Sequence, residues 1–369
     1  MRISDIEVFK LSCPLEEEAY DATARWRSFD TVLIKITTSN GLVGLADIAP
    51  LRKEQLDIFE AVIKRWLEQL VVGESHYDLE RNWRRMIGRG SSAYALGNRG
   101  IIVSAASAID IALWDIISKS FGTPLYNLLG GKFREKAMVY PSFMGYVSTE
   151  MLEEVKRRRF KAIKFKVGFD IESDLKEVRK VKDALEGFKI MLDGNQGYDL
   201  YRAIKFAEKV KNFGIEWFEE PINVFNLKAL RILANKISIP IALGENYYSL
   251  DEFSMVIAEG VANIIQPDIN HGGGVTQIKK IASIAEGYDV KFAPHLHLII
   301  GFVVGLHMLT SFPNGYIAEY PMYGKEWRFR DKFIEDCVRI KDGYAKLTWK
   351  EGIGVKYDES LIEEYKVKD

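Results

Sequence analysis

Charged and polar residues end a series of short apolar segments at nearly constant intervals along the middle of the chain. The steps between them are 23 to 27 residues. The members of the series are Lys166, Asp193, Glu219, Glu245, Asp268, His295 and Glu319. Each interval contains a loop, a helix-like stretch and a new apolar segment, which is the content of one β/α unit. Because a parallel (β/α)8 barrel brings the C-terminal ends of its strands to one face, the spacing predicts an α/β barrel with one pocket.

The segment KAIKFKVGF, residues 161–169, contributes two lysines to this pocket. Lys164 and Lys166 are two residues apart, so on a strand both side chains point to the same face. Two ammonium groups on the inner face of a buried strand are costly unless they have a charged function. A half-exposed strand with solvated lysines is the alternative for an isolated pair, and the polar series downstream favours the buried interpretation.

Three carboxylates end consecutive strands of the series. Asp193, Glu219 and Glu245 offer hard oxygen ligands, which suit a divalent cation that keeps positions open for water and substrate, most naturally Mg²⁺. Each carboxylate taken alone has an alternative role as the N-cap of the following helix. Three carboxylates in equivalent positions favour the metal site.

Asp268 and His295 form a candidate acid/base pair one β/α unit apart. A carboxylate beside an imidazole fixes its tautomer and raises its basicity. His297 competes for this role, although its place in LHLIIG favours a loop or packing histidine. His307 lies in an apolar helical pattern and is predicted to be a core or interface histidine, and neither His76 nor His271 has a supporting pattern.

Two further polar residues are candidates for the same pocket. Asn195 shares the face of Asp193 and is placed to hydrogen-bond a substrate oxygen, or else is a turn residue before Gly197. Glu319 is either an acidic or hydrogen-bonding group of the pocket or the structural partner of a cation.

The ends of the chain predict a second module beside the barrel. A chain of 369 residues leaves about 120 beyond an ordinary barrel. Residues 1–48 resemble strands, with Asn40-Gly41 as a hairpin signal, and helical patterns cover 53–72, 77–88 and 99–119. The barrel is predicted to begin near Ala137, with helices at 171–186, 199–213, 226–236, 250–259, 274–287 and 299–311. We therefore expect an α+β capping domain (1–125), a barrel domain (126–325) and a C-terminal segment (326–369) that returns to the capping domain, with KLTWKEGIGVKYDE as strands and turns.

Charge and cysteine content exclude several classes of partner. A net charge of −1 gives no general attraction to nucleic acid or to an anionic membrane. The apolar run at 298–312 is interrupted and too short to span a bilayer. Two cysteines, Cys13 and Cys337, make no disulfide framework, and MRISDIEVFK is no secretory signal, so a cytoplasmic location is expected.

The motifs together resemble the enolase superfamily, within it the mandelate racemase/muconate lactonizing enzyme family and its mandelate racemase subgroup. NGLVGLADI and SAIDIALWDIISKSFGTPLYNLLGG resemble the capping-domain hairpin and the helix before the barrel. KFK, LDGNQGY, WFEEP, LGEN, QPDINHGGG and APH follow in the family's order and spacing. This resemblance implies a modified TIM (β/α)7β barrel with an α+β N-terminal capping domain, and homo-oligomers from dimer to octamer.

The same resemblance implies a role for each candidate residue. Lys166 is the base on one face of the substrate, and Lys164 stabilises the enediolate charge. Asp193, Glu219 and Glu245 hold Mg²⁺, Asp268 with His295 forms the dyad on the opposite face, and Glu319 hydrogen-bonds the substrate carboxylate. The muconate lactonizing subgroup would place a lysine at 268, and the His295/His297 doublet departs slightly from the usual single histidine.

Two reactions of a small-molecule carboxylate remain open. A dehydratase converts an acid sugar, an aldonic or aldaric acid, into a 2-keto-3-deoxy acid, and a racemase or epimerase uses two bases on opposite faces of a 2-hydroxy acid. The resemblance favours the dehydratase, because most members of the subgroup that are similar to this chain are sugar-acid dehydratases. Substrate choice falls to EAYDATARWRS, residues 18–28, which resembles the mobile lid loop and offers Arg25 and Trp26. A barrel kept as a non-catalytic binding scaffold is disfavoured, because every catalytic position holds a competent residue type.

Overall fold

An antiparallel sheet with helices and a larger, mainly parallel sheet organise the chain. The computed structural model describes residues 2–87, 97–297, 299–322 and 328–367, and the side chains of 50 and 328 are not described. The predicted last residue of the 77–88 helix therefore lies outside the described residues, as do the ends of the predicted C-terminal segment.

The first part of the chain forms a three-stranded sheet followed by helices. Its strands are β1 (Ile3–Tyr20), β2 (Arg25–Thr38) and β3 (Val43–Leu51). Its helices are α1 (Leu56–Val62), α2 (Glu68–Val71), α3 (Leu79–Ile87), α4 (Ile101–Ser120) and α5 (Leu125–Leu128), with a 3-10 turn at Lys53–Gln55 and a π turn at Ile63–Leu67. The predicted hairpin at Asn40-Gly41 joins β2 to β3, with Gly41 at a φ of 84°.

The second part alternates strands and helices as the polar series predicts. The strands are β4 (Ala137–Ser142), β5 (Ala162–Lys166), β6 (Lys189–Asp193), β7 (Ile215–Glu219), β8 (Ile241–Leu243), β9 (Ile264–Ile265), β10 (Lys291–Phe292) and β11 (Ala318–Pro321). The intervening helices are α6 (Thr149–Arg157), α7 (Ile171–Ala184), α8 (Leu200–Val210, then a 3-10 turn at Lys211–Phe213), α9 (Leu227–Lys236), α10 (Leu250–Ala258), α11 (Gly274–Gly287) and α12 (Ile300–Ser311). Within the described residues this is a (β/α)7β arrangement, as expected.

Strand pairing brings the two ends of this sheet together. β4 to β10 pair in sequence order and in parallel, and β11 returns to pair with β4. A parallel bridge between Phe292 of β10 and Gly315, just before β11, joins the remaining two neighbours. The eight strands thus surround a common interior.

One side chain from each strand or its flank fills that interior. This buried layer consists of Tyr140, Ala162, Met191, Trp217, Ala242, Ile264, Ala293 and Ile317. Tyr140 and Trp217 contact each other edge to face, with ring centroids 5.5 Å apart. The alanines make room for these large rings, so that the interior is packed rather than open.

The C-terminal segment divides its contacts between the two parts. α13 (Arg328–Ile334) leads to β12 (Val338–Lys341) and β13 (Tyr344–Leu347), and β13 pairs with β4 of the barrel. α14 (Glu359–Tyr365) and the bridge between Lys366 and Leu11 return to β1 of the capping sheet. Neither short helix was predicted from the sequence. Contacts with residues 1–125 come from Gly352 and Ile353 as well as from residues 357–367, and the return of the whole segment to the capping domain stays a prediction.

The segment 18–28 is mostly strand rather than a lid loop, which corrects that expectation. Ala19 pairs with Trp26 and Tyr20 with Arg25, so only residues 21–24 form the turn. Glu18 accepts hydrogen bonds from Arg25 at 3.0 Å and from Arg27 at 3.3 Å. These cross-strand pairs offset the acidic run at the end of β1 and extend the hairpin.

Helix α4 is the core element between the two parts. It is long and apolar enough to cross a membrane, but 89% of its most apolar window is buried inside the protein, as expected of a core helix. The Asp110 carboxylate accepts from the Thr276 amide of α11 at 2.9 Å, and Trp114 Nε1 donates to Thr276 Oγ1 at 2.9 Å. These bonds fix the capping helix against the barrel.

A buried carboxylate also clamps the capping sheet to the barrel loops. Asp47 of β3 accepts from Asn270 Nδ2 at 2.9 Å, from the Gly301 amide at 3.1 Å and from the Ile299 amide at 3.2 Å. A Cβ at Gly301 would lie 1.8 Å from Asn270 Oδ1, so the clamp requires glycine there. The clamp joins the loop after β9 to the start of α12.

His307 is a buried core histidine, as predicted, and it should make stability depend on pH. Its Nδ1 accepts from the Tyr126 amide and its Nε2 donates to the Ile353 carbonyl, both at 3.2 Å, and burial lowers its pKa to about 4. As pH falls from about 6.5 to about 4, only the unfolded state gains this proton, so the free energy of unfolding should fall by about 3 kcal/mol. Urea unfolding across this range should show a weaker pH dependence in His307→Gln; parallel curves for the two proteins would contradict the assignment.

Candidate active site

The functional side chains lie above the packed interior layer, toward the C-terminal ends of the strands. Since side chains alternate along a strand, residues two positions beyond the layer point into the same space. Lys164, Glu219 and Glu319 stand two positions after Ala162, Trp217 and Ile317. Asp193, Gln266 and His295 likewise stand two positions after the layer residues Met191, Ile264 and Ala293. Lys166 and Asp268 stand four positions after Ala162 and Ile264. The polar residues that are regularly spaced along the sequence thus form one ring in the structure.

The two lysines are buried and ion-paired rather than solvated. Lys164 Nζ lies 2.6 Å from Glu219 Oε1, 2.9 Å from Glu319 Oε1 and 3.5 Å from Asp193 Oδ2. Lys166 Nζ lies 2.6 Å from the same Asp193 oxygen. The side chains of both lysines are less than a tenth exposed. The strand therefore faces inward, as the sequence predicted.

Charge on Lys164 is strongly favoured by its surroundings. Burial alone would lower the pKa of this amine, but the carboxylates of Glu219 and Glu319 outweigh burial and raise its pKa well above the ordinary value. These surroundings therefore favour the positively charged form of Lys164.

The three predicted metal ligands converge. Asp193, Glu219 and Glu245 each offer a carboxylate oxygen, and these oxygens lie within 4.8 Å of one another. Neighbouring donors orient them: Gln266 Nε2 donates to Glu219 Oε2 at 2.7 Å, and Asn195 Nδ2 donates to Glu245 Oε1 at 3.1 Å. The arrangement matches a small set of hard oxygen ligands held by surrounding hydrogen bonds.

Electrostatics supports a cation among these carboxylates. Burial and the nearby Asp193 raise the pKa of Glu219 to about 8, and burial raises the pKa of Glu245. Two lysines offset only part of this crowding: they hold the pKa of Asp193 below its ordinary value despite its burial. A divalent cation would stabilise the ionised form of all three groups, so the residues present fit such an ion.

Asp268 and His295 are paired as the sequence predicted. His295 Nδ1 lies 2.7 Å from Asp268 Oδ2, and His295 Nε2 lies 3.2 Å from Glu245 and 4.0 Å from Glu319. Burial would lower the pKa of His295, but Glu245 and the hydrogen bond to Asp268 raise it to about 10. The backbone amides of Asn270 and His271 hold the other Asp268 oxygen, at 2.7 and 2.8 Å. The imidazole is thus held with Nε2 toward the other acidic groups.

His297 is adjacent to this pair but does not join it. Its ring lies at a steep angle to that of His295, with centroids 4.1 Å apart. Burial and the charge of His295 hold the pKa of His297 well below its ordinary value. Within the described residues its buried Nδ1 has no hydrogen-bond partner. Between the two candidates, the geometry favours His295 as the dyad member.

A cavity of about 380 Å³ lies between the barrel and the capping part. Its floor comes from the barrel and includes Lys166, Asn195, Glu245, Asp268, His295 and Glu319. Its roof comes largely from the first part of the chain and includes Trp26, Phe29, Leu51, Phe59 and Ile101. A cavity of this size suits a small ligand with its polar end at the floor.

The two predicted lid residues separate in the structure. Trp26 is half-buried and lines the cavity. Arg25 is exposed, lies over the Tyr20 ring at 5.5 Å and pairs with Glu18, so the geometry gives no support to its proposed substrate contact. The alternation of β2 explains the difference, since adjacent residues point to opposite faces.

His271 is a cavity residue that the sequence analysis missed. Its Nε2 lies 3.0 Å from the Ala49 carbonyl and its Nδ1 lies 2.7 Å from Ser104 Oγ, both in the capping part. Tyr248 and Asn246 also line the cavity. Asn246 and Tyr248 lie within three residues of Glu245 in the sequence, and this closeness could have indicated their place in the site. The contacts of His271, in contrast, depend on segments more than 160 residues away.

Comparisons with known proteins agree with this geometry. Residues 20–130 match the family described as mandelate racemase/muconate lactonizing enzyme, N-terminal domain, and residues 147–361 match the family described as enolase C-terminal domain-like. An arabinonate dehydratase of Saccharolobus solfataricus is 28% identical over 99% of this chain and 100% of its own. A D-galactonate dehydratase of Variovorax paradoxus is 31% identical over 93% of this chain and 91% of its own.

Solved structures give the same result. The 3,6-anhydro-D-galactonate cycloisomerase of Zobellia galactanivorans is 28% identical, with a TM-score of 0.89 over 100% of both chains. The sequence matches, the (β/α)7β architecture and the ring of polar groups all indicate the same family. The chain belongs to the mandelate racemase/muconate lactonizing enzyme family of the enolase superfamily.

Proposed function

We propose that this protein is a Mg²⁺-dependent hydro-lyase that dehydrates an acid sugar to a 2-keto-3-deoxy acid. One observation carries the proposal: Lys166, Glu245 and the Asp268–His295 pair line one small cavity. Glu245 also belongs to the carboxylate cluster with Asp193 and Glu219, and Lys164 contacts that cluster. The names of the arabinonate and D-galactonate dehydratases, which align over nearly the whole chain, support the reaction class.

The difficult step is removal of a proton next to a carboxylate, because the carboxylate must accept the resulting charge. Asp193, Glu219 and Glu245 would hold Mg²⁺, which when bound supplies positive charge to the substrate carboxylate. Lys164 adds a fixed positive charge beside Glu219. We propose that Glu319, buried beside Lys164, hydrogen-bonds that carboxylate in its protonated form.

The proposed proton transfers use groups on two sides of the cavity. Lys166, in its neutral amine form, takes the C2 proton to become an ammonium, and the electron pair of the C2–H bond passes to the carboxylate to give an enediolate. As this pair returns, the C3–O bond breaks, and the Nε2 proton of His295 goes to the departing hydroxyl to form water. The enol then tautomerises to the 2-keto acid, so the substrate loses one water overall. Asp268 keeps Nε2 of His295 toward the substrate, and we propose that Asn195, which lines the cavity, binds a substrate oxygen.

Racemisation or epimerisation of a 2-hydroxy acid is the second candidate. The observation favouring it is that Lys166 and His295 both line one cavity from different strands, as two bases acting on opposite faces of C2 would require. In that reaction His295 returns a proton to C2 and no group leaves.

A sugar-acid screen with Mg²⁺ tests the proposal. Aldonic and aldaric acids are incubated with the protein, and α-keto acid is detected by semicarbazide absorbance while C2 exchange in D₂O is followed by NMR. Keto acid from at least one compound is expected. Exchange or an epimer without keto acid would identify the racemase instead, and silence in both assays would reject the substrate class.

Mg²⁺ should stabilise the protein against heat. A ligand at 100 times its dissociation constant adds about 2.7 kcal/mol to the free energy of unfolding when it binds only the folded state, so Tm should rise by several degrees after EDTA treatment and Mg²⁺ addition. Glu245→Gln removes a ligand charge and should abolish most of the rise. Glu186→Gln, an exposed change, is the control, and an unchanged shift in Glu245→Gln would contradict the ligand set.

We further propose that residues 1–125 cover the substrate during reaction and that the protein acts in the cytoplasm. Trp26, Phe29 and Leu51 in the cavity roof support the first proposal. Homo-oligomerisation, from dimer to octamer, stays a prediction from the family resemblance, and light scattering of the purified protein measures it.

A further inference from the structure

The cavity roof differs in chemical character from the floor. The floor is ionised, whereas the roof is mainly apolar. Its six apolar side chains are Trp26, Phe29, Leu51, Phe59, Ile101 and Met144. Phe29, Leu51 and Phe59 are each at most 5% exposed, so their positions are fixed by the core behind them. Whatever part of the substrate lies under this roof exchanges water for apolar contact.

The polar side chains of the roof that the structure describes, Asp21, Gln55 and Ser104, carry no positive charge. Ser104 Oγ contacts His271 Nδ1 and the Gly100 carbonyl, and Gln55 Oε1 accepts from the Arg52 amide. Asp21 remains as a carboxylate in the wall. Its Oδ1 accepts from the amides of residues 23 and 24 at 2.6 and 2.7 Å, so the turn holds the carboxylate in place.

The roof that the structure describes has no lysine or arginine side chain. Among the lining side chains that the structure describes, Lys166 is the single ammonium or guanidinium, and it lies 2.6 Å from Asp193. A second carboxylate under the roof would therefore meet apolar side chains, the neutral polar groups of Gln55 and Ser104 and the negative charge of Asp21, with no described cationic side chain to pair with it. Burying a charge without a partner is costly, whereas burying a methyl group is favourable.

We propose that the substrate is a monocarboxylic sugar acid with a methyl group at its far end, a terminally deoxygenated aldonic acid, rather than an aldaric acid. This inference rests on the proposed function and specifies its substrate class. The carboxylate and the C2 and C3 groups occupy the floor, and the terminal methyl contacts the ring of Trp26 and its apolar neighbours. Asp21 selects against a terminal carboxylate.

Matched series of acids test the proposal directly. Galactarate, D-galactonate and 6-deoxy-D-galactonate share their configuration at C2 to C5 and differ only at C6, and the corresponding gluco and manno series are run beside them. The measurements are kcat/KM for α-keto acid formation and the rate of C2 exchange in D₂O, both with Mg²⁺. Within the series that reacts, the methyl compound should exceed the hydroxymethyl compound by about 10- to 100-fold and the diacid by more than about 1,000-fold.

The outcomes separate this inference from the proposed function. Turnover or exchange with the diacid equal to or faster than with the methyl compound would overturn the inference and leave the dehydratase intact. No keto acid and no exchange in any series would overturn both. A preference for the methyl compound in exchange without keto acid would support the roof's selectivity while rejecting dehydration.

Two variants test the roles of Asp21 and the apolar roof. The quantity compared is the ratio of kcat/KM for the methyl compound to kcat/KM for the diacid. Asp21→Asn keeps an oxygen that accepts the two turn amides and removes the charge, so the disadvantage of the diacid should shrink by about 10-fold. Ile101→Lys adds an ammonium at a side chain that is 36% exposed and should shrink it further, with Ile101→Met as the matched control. A ratio unchanged in both Asp21→Asn and Ile101→Lys would overturn the assignment of selectivity to this wall.

Discussion

Replacing Lys166 by methionine should abolish both keto-acid formation and C2 exchange, with kcat lower by about 10³- to 10⁴-fold. Methionine fills the volume of the lysine stem but offers no basic nitrogen, so the C2 proton has no acceptor on that face. Both rates are measured on the same substrate in D₂O. Because the variant loses the first step, neither product nor exchange should remain.

Two controls accompany this variant. Lys161→Met changes an exposed lysine just before the same strand and should retain activity. The thermal shift with Mg²⁺ should persist in Lys166→Met, because all three carboxylates are intact. Exchange at the wild-type rate in Lys166→Met would show that another group removes the C2 proton.

Replacing His295 by asparagine should separate the two proton transfers. Asparagine can still donate to Asp268 from near the position of Nδ1, but it has no counterpart of Nε2. We expect keto-acid formation to fall by about 10²- to 10⁴-fold, whereas Lys166 should continue to exchange the C2 proton. The comparison of absorbance and NMR rates in one reaction measures this separation.

The neighbouring histidine provides the control for that result. His297→Asn should affect keto-acid formation less than His295→Asn, because His297 makes no bond to Asp268. Equal losses in the two variants would contradict the choice of His295. Loss of exchange together with product in His295→Asn would instead make His295 the base at C2.

The barrel was predictable because its signals are local and repeated. The alternation Lys164, Phe165, Lys166 defines an inner face, and the 23- to 27-residue spacing repeats one β/α unit. Helix boundaries such as Ile171–Ala184 and Gly274–Gly287 follow from apolar periodicity and fall within two residues of the prediction. The two C-terminal helices lacked this repetition, and each has only seven residues.

The site was predictable where function requires a residue type at a strand end, and less so where the fold brings distant segments together. Asp193, Glu219 and Glu245 converge as expected, because Asp193 and Glu219 end neighbouring parallel strands and Glu245 follows the end of the next strand by two residues. The place of His271 depends on contacts with Ala49 and Ser104 that no sequence pattern predicts. The same applies to the turn at residues 21–24, whose position depends on the pairing of β1 with β2.

The Asp47 clamp limits how this enzyme can be recombined with its relatives. Transplanting a foreign capping part onto this barrel would leave Asn270 and the amides of Ile299 and Gly301 without their shared acceptor unless the donor supplies a carboxylate at the same place. Those groups lie within a few residues of Asp268 and His295. A successful chimera must therefore inherit Asp47, Asn270 and Gly301 as one unit, or the exchanged roof will loosen the catalytic loops beneath it.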